Sequence, residues 1–73
     1  MRNSLTSREN QIVSLIFEEK TNATIAKELE ISERTVETHR KSIYVKTGAK
    51  TVVGLVKYIL KNKNRSDQHR ENH

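Results

Sequence analysis

Seventy-three residues make one domain at most, and a chain this short buries only about 60% of its unfolded surface, so its core is small. The absence of cysteine excludes disulfides and thiolate metal sites, no apolar run approaches the roughly 20 residues that cross a bilayer, and residues 1–10 lack the apolar stretch of a signal peptide. The net charge of +5 is unevenly placed: residues 1–31 hold four Lys/Arg against five Asp/Glu (−1), and residues 32–73 hold ten against four (+6). A cytoplasmic protein is expected. Its basic half fits either a face made for a polyanion or a soluble domain with a charged tail.

With no proline, only Gly48 and Gly54 as glycines, and no strand pattern with paired turn signals, the chain reads as all-α, a four-helix bundle. The first helix opens with "TSRE", where Thr6 caps and Glu9 completes a capping box. Ile12, Leu15 and Ile16 make its buried stripe, with Val13 and Phe17 at the edge. Asn22 is the expected N-cap of a short second helix that turns Ile25, Ala26 and Leu29 inward. The third helix starts after a Ser32 cap and runs to about Thr47, with Val36, Arg40, Ile43 and Thr47 along one side. Gly48 ends it in the left-handed conformation. The fourth is capped by Thr51 and buries Val52, Leu55, Val56 and Ile59. Residues 61–73 contain no apolar side chain and read as a disordered basic tail, so the domain is expected over residues 1–60.

Helical periodicity places Arg34, Thr38, Lys41 and Val45 on the side of the third helix opposite Val36 and Ile43, flanked by Glu37 and Ser42. A solvated outer face and a helix that enters a major groove both fit this pattern. Periodicity alone does not choose between them.

The ordered set "LTSRE", "KTNATIAKELEISERTVETHR" and "GAKTVVGLVKYIL" resembles the LuxR-type (GerE-type) helix-turn-helix domain of bacterial transcription regulators, from Leu5 to about Leu60. A lone helix-turn-helix pattern has many false positives; several parts in order and spacing are far more specific. The resemblance implies a DNA-binding domain in which helices two and three form the helix-turn-helix and helix three is the recognition helix. Such domains are most often the output module of a response regulator in a two-component system, or of a quorum sensor. The match begins four residues after Met1, so either a single-domain regulator or a separate output domain is expected.

The chain departs from the family pattern at several positions. Glu30 stands between helices two and three, and Glu19 before "KTN", where glycine is usual; if either has positive φ, Glu there costs roughly 1 kcal/mol relative to Gly. Thr47 replaces a usual leucine, Ala49 a larger aliphatic and Val45 a common basic residue. Glu37 often aligns with lysine, which implies a different base preference.

By matching the family's recognition helix, Glu37, Thr38 and Lys41 become the base-edge candidates. Lysine donates to guanine O6 and N7, threonine touches a thymine methyl, and glutamate accepts from cytosine N4. A carboxylate at Glu37 could equally serve only to reject wrong sites or to hold Arg34 or Lys41. Phosphate candidates are Thr21 and Asn22 at the start of helix two, Arg34 and Arg40 on helix three, and Lys46, Lys50 and Thr51 around the last turn. Capping by Asn22 and Thr51, and solvated lysines near a helix C-terminus, are the competing roles. His39 lies at the edge of the buried side and reads as a structural histidine. His69 and His73 are spaced i, i+4, as metal ligands on a helix would be, but a tail with no apolar residue argues against that helix. The "NAT" and "NRS" sequons carry no meaning without a secretory signal.

Helix four has a wide apolar arc. Val53, Gly54, Lys57 and Leu60 are the candidate surface of a weak homodimer that tightens on DNA, reading half-sites about one helical turn apart; the apolar rim could instead cover helix one. Double-stranded DNA is the expected partner, with no cofactor, metal, membrane or small-molecule ligand. An enzyme is not expected, since no nucleophile–base pair or phosphate-binding glycine loop occurs. The rival reading is a protein-interaction module on the same fold that contacts RNA polymerase or another regulator. Phe17, Tyr44 and Tyr58 provide no stacking platform for RNA.

Overall fold

A computed structural model describes the backbone over residues 5–71 and side chains over residues 5–62. Four helices follow in order: α1 (Ser7–Phe17), α2 (Asn22–Leu29), α3 (Glu33–Thr47) and α4 (Val52–Glu71). Each begins at a hydroxyl that accepts an orphan amide of the first turn. Thr6 and Glu9 close the capping box in both directions, at 3.0 and 2.9 Å. Ser32 Oγ accepts from the Thr35 amide at 3.0 Å. For α2 the cap is Thr21, not Asn22: Thr21 Oγ1 accepts from the Thr24 amide at 3.1 Å and donates to the Thr24 hydroxyl. Both residue types cap well, and that second hydroxyl bond favours threonine one position earlier. At α4, Thr51 Oγ1 accepts from the Gly54 amide at 3.1 Å, as a cap would.

α1 and α2 end in the same way. Past α1, Glu19 sits at φ 64 while its amide donates to Ile16 and the Lys20 amide to Leu15. Past α2, Glu30 sits at φ 60 while its amide donates to Lys27 and the Ile31 amide to Ala26. These paired reversed bonds are Schellman motifs, whose left-handed residue is usually glycine because a Cβ crowds the following carbonyl. Both departures noted in the sequence thus fall on strained backbone. Gly48 ends α3 at φ 74.

The core joins Ile12, Val13 and Ile16 of α1, Ile25 and Ala26 of α2, Val36 and Ile43 of α3, and Leu55 of α4. Leu15, Leu29, Tyr44 and Ile59 are partly buried around it. Two expectations are corrected here. Val13 takes the place expected for Leu15, because the stripe on α1 is Glu9–Ile12–Val13–Ile16, with a carboxylate as its first member. Val52 is 42% exposed, whereas Leu55 three residues on is fully buried. Thr47, in the leucine position, is satisfied by its backbone: its hydroxyl donates to the Ile43 carbonyl at 2.9 Å and accepts from the Ala49 amide at 3.2 Å.

α4 continues to Glu71, through the segment read as a disordered tail. Residues 61–71 hold neither glycine nor proline, so nothing local stops the helix. They contain no apolar residue to offer a core. The side chain of His69, all of His73 and the "NRS" sequon lie outside the described side chains.

Candidate nucleic-acid interface

The corner between α2 and α3 is only Glu30, Ile31 and Ser32. The left-handed turn at Glu30 reverses the chain, and Ser32 restarts it as helix at once. Ile31 is partly buried against the core and pins the corner. α3 is therefore held by its neighbours along Val36 and Ile43, both fully buried, while its opposite side faces outward.

On that outer side Arg34, Glu37, Thr38, Lys41 and Val45 are all exposed, Val45 by 75%. The sequence reading of this face agrees with the structure. Glu37 forms no ion pair with Arg34 or Lys41 among the described residues. It is thus a carboxylate whose acceptors stay open, between a hydroxyl and two cations. A phosphate surface gains nothing from such a group, whereas a donor such as cytosine N4 would be accepted by it.

The phosphate candidates divide. Lys50 and Thr51 are exposed before α4, and Thr21 is exposed at the start of α2, beside a half-buried Asn22. Helix starts present unpaired amides and the positive end of the dipole, which is where phosphate binds. Arg40 is half-buried on the flank of α3 nearest the core, and His39 is half-buried too. Lys46 is engaged elsewhere. Its Nζ lies 2.9 Å from Glu9 Oε1, with the lysine side chain only 29% exposed.

Glu9 was legible as half of a capping box, and its wider role was missed. It is 4% exposed, the one buried charged residue among those described. Oε1 accepts from the Thr6 amide and the Lys46 ammonium, each at 2.9 Å, and Oε2 accepts from Ser42 Oγ at 2.8 Å. Burial alone would raise its pKa; the Thr6 amide, Lys46 and Ser42 outweigh burial and bring it down to about 2. The available signal was the spacing: Glu9 is in register with Ile12, Val13 and Ile16, and Ser42 with Lys46 one turn on. A second ionic clip joins the turn after α1 to α2, where Lys20 Nζ meets Glu28 at 2.6 Å and Glu18 at 3.4 Å. Hydrogen bonding to Glu28 raises the Lys20 pKa.

On α4, Val53 is 63% exposed and Leu60 53%, with Lys57 exposed between them. Gly54 has another use. A Cβ there would come within 3.3 Å of Ala49 Cβ, so the glycine lets α4 approach the α3–α4 turn of its own chain. This use within the chain is compatible with the expected place of Gly54 on an intermolecular surface, since the residue stays partly exposed. Among the described residues no helix is long and apolar enough to cross a membrane, and no His, Cys, Asp and Glu group could hold a metal ion.

Comparison with known proteins agrees with this architecture. Over 59 residues the chain is 44% identical to the uncharacterized response regulatory protein YgeK of Escherichia coli (strain K12), covering 81% of this chain and 40% of that one. It is 45% identical over 56 residues to the transcriptional regulatory protein MctR of Rhizobium johnstonii, covering 77% of this chain and 26% of that one. It is 40% identical over 57 residues to the transcriptional regulatory protein FixJ of Rhizobium meliloti, covering 78% and 28%. The chain thus spans less than half the length of these relatives. No solved structure gives a significant match. The family described as bacterial regulatory proteins, luxR family (GerE) matches residues 3–59, and the chain belongs to that family.

Proposed function

We propose that this domain regulates transcription by sequence-specific binding of double-stranded DNA, with α3 in the major groove. The observation that carries the reading is the outer face of α3: two cations, a hydroxyl and an unpaired carboxylate, exposed on a helix fixed at a tight corner. Glu37, Thr38 and Lys41 meet base edges. Arg34, Arg40, Lys50 and the helix starts at Thr21, Asn22 and Thr51 meet phosphates. Val53, Gly54, Lys57 and Leu60 form a small strip, apolar at Val53 and Leu60 with a lysine between them, which suits a weak two-fold contact that tightens when both copies hold adjacent half-sites.

The names of the relatives, a response regulatory protein and two transcriptional regulatory proteins, support a place as the output domain of a two-component response regulator; a single-domain regulator is the alternative, and either acts in the cytoplasm, where bacterial DNA lies. A second reading is favoured by the same α4 strip: a module of this fold that contacts RNA polymerase or another regulator. Selection of bound sequences from a random duplex pool, then titration of the winner at several salt concentrations, separates the two. A palindromic winner whose affinity falls by about 0.9 in log–log slope per phosphate contact supports DNA readout. No enriched sequence would sink that reading and leave the interaction module.

A further inference from the structure

We infer that Glu9 is a positioning residue for the DNA-facing helix: its carboxylate fixes the roll of α3 against α1 and withholds the Lys46 ammonium from phosphates. The inference rests on the DNA-binding reading of α3. Three donors converge on one buried carboxylate, and two of them, Ser42 and Lys46, lie a turn apart on the same flank of α3. Each directly follows a residue of the outer face, Ser42 after Lys41 and Lys46 after Val45. The third donor is the Thr6 amide at the start of α1, so the carboxylate is itself held by the first helix's cap.

Two grips a turn apart resist rotation of a helix about its axis in a way that apolar contacts do not. Val36 and Ile43 fix how close α3 comes, but methyl groups slide past one another at little cost, whereas hydrogen bonds weaken steeply with misalignment. At a side-chain radius of about 5–6 Å, a roll of about 10° moves a contacting atom by about 1 Å. That exceeds the roughly 0.5 Å within which a recognition group must be held. The same bond fixes the fate of Lys46. Leaving Glu9 for a phosphate would strand a buried carboxylate, so the lysine stays where it is. The cation expected at a phosphate is a structural one.

The test uses the full chain, a duplex taken from the selection above and a scrambled duplex, each titrated over a salt series with wild type, Glu9→Gln, Ser42→Ala and Lys46→Met. Lys46→Met is expected to leave the salt slope unchanged, whereas a phosphate contact would lower it by about 0.9; a drop of that size overturns the structural role of Lys46. Glu9→Gln keeps an acceptor for the Thr6 amide but frees the lysine. Its slope on scrambled duplex is expected to rise by up to about 0.9, with the ratio of specific to scrambled affinity falling about tenfold. Ser42→Ala is expected to lower that ratio without changing the slope, and it keeps the test open if Glu9→Gln does not fold. Amide shifts of Thr38 and Lys41 in the free variants report the roll without DNA. An unchanged ratio and unchanged shifts in folded variants overturn the positioning role. Wild type that binds neither duplex refutes the DNA reading instead.

Discussion

Replacing Glu30 by glycine is expected to make the domain more stable, although it removes a side chain and adds chain entropy. Glu30 is at φ 60, in the left-handed region, with its amide and that of Ile31 both committed to the end of α2. An L-residue held there loses about 1–2 kcal/mol relative to its preferred conformations. Glycine escapes that cost and gives back about 0.5–1 kcal/mol through its freer unfolded state. The net gain is about 0.5–1 kcal/mol. Nothing else is lost, since Glu30 is exposed and forms no ion pair among the described residues. In a domain this small about 1 kcal/mol moves Tm by about 4–8 °C, so Glu30→Gly should melt about 2–8 °C higher. Glu19→Gly, in the matching turn at φ 64, should do the same. Thermal unfolding followed by circular dichroism measures this, with Glu30→Ala as control. Alanine also removes a negative charge from a helix C-terminus, worth a few tenths of a kcal/mol, but keeps the Cβ. Gly48→Ala is the converse test: a Cβ there meets nothing within 4 Å, so any loss is conformational alone. Equal gains for Glu30→Gly and Glu30→Ala, or a lower melting point for glycine, would refute the reasoning.

Three further outcomes follow from other parts of the molecule. The lowered pKa of Glu9, about 2 against an ordinary 4.5, means that its stabilisation is complete above pH 4.5 and is lost as pH falls through 2. By linkage it is worth roughly 3 kcal/mol at neutral pH, so Glu9→Gln should be less stable near pH 7 and converge on wild type near pH 2 in urea titrations; parallel curves would contradict the assignment. Lys41→Ala should weaken the selected duplex by about 1–3 kcal/mol more than scrambled DNA in fluorescence anisotropy, and equal losses would make Lys41 a phosphate contact. Leu60→Glu should abolish any dimer seen by analytical ultracentrifugation and the cooperativity on a palindrome, leaving half-site affinity within about twofold; retained cooperativity would move the dimer surface away from α4.

The helices and the exposed face of α3 were readable because local rules decide them. Thr6 with Glu9, Ser32 and Gly48 are caps whose chemistry acts within four residues, and all three were found in place. The choice between Thr21 and Asn22 was just as local, since the extra hydroxyl bond runs from Thr21 to Thr24 three residues on; two good capping residues side by side left the position open by one. The swap of Val13 for Leu15 has a different cause. A stripe counted only in apolar residues cannot include Glu9, yet the carboxylate heads the stripe because Ser42 and Lys46 make its burial tolerable. Those partners lie 33 and 37 positions away, beyond the reach of periodicity. The end of α4 was misplaced for the opposite reason: composition argued against a core, and nothing in residues 61–71 argued against a helix.

The bridge from Glu9 to Lys46 also bears on how the domain comes apart. A bundle of short helices forms mostly from neighbours in the chain, which favours rapid acquisition of structure. A link across 37 positions is among the last to close and, by the same logic, contributes little to the rate-limiting barrier on the way in. Its weight falls on the way out, where it must break before α1 parts from α3, and so it lengthens the lifetime of the native state without hastening its formation.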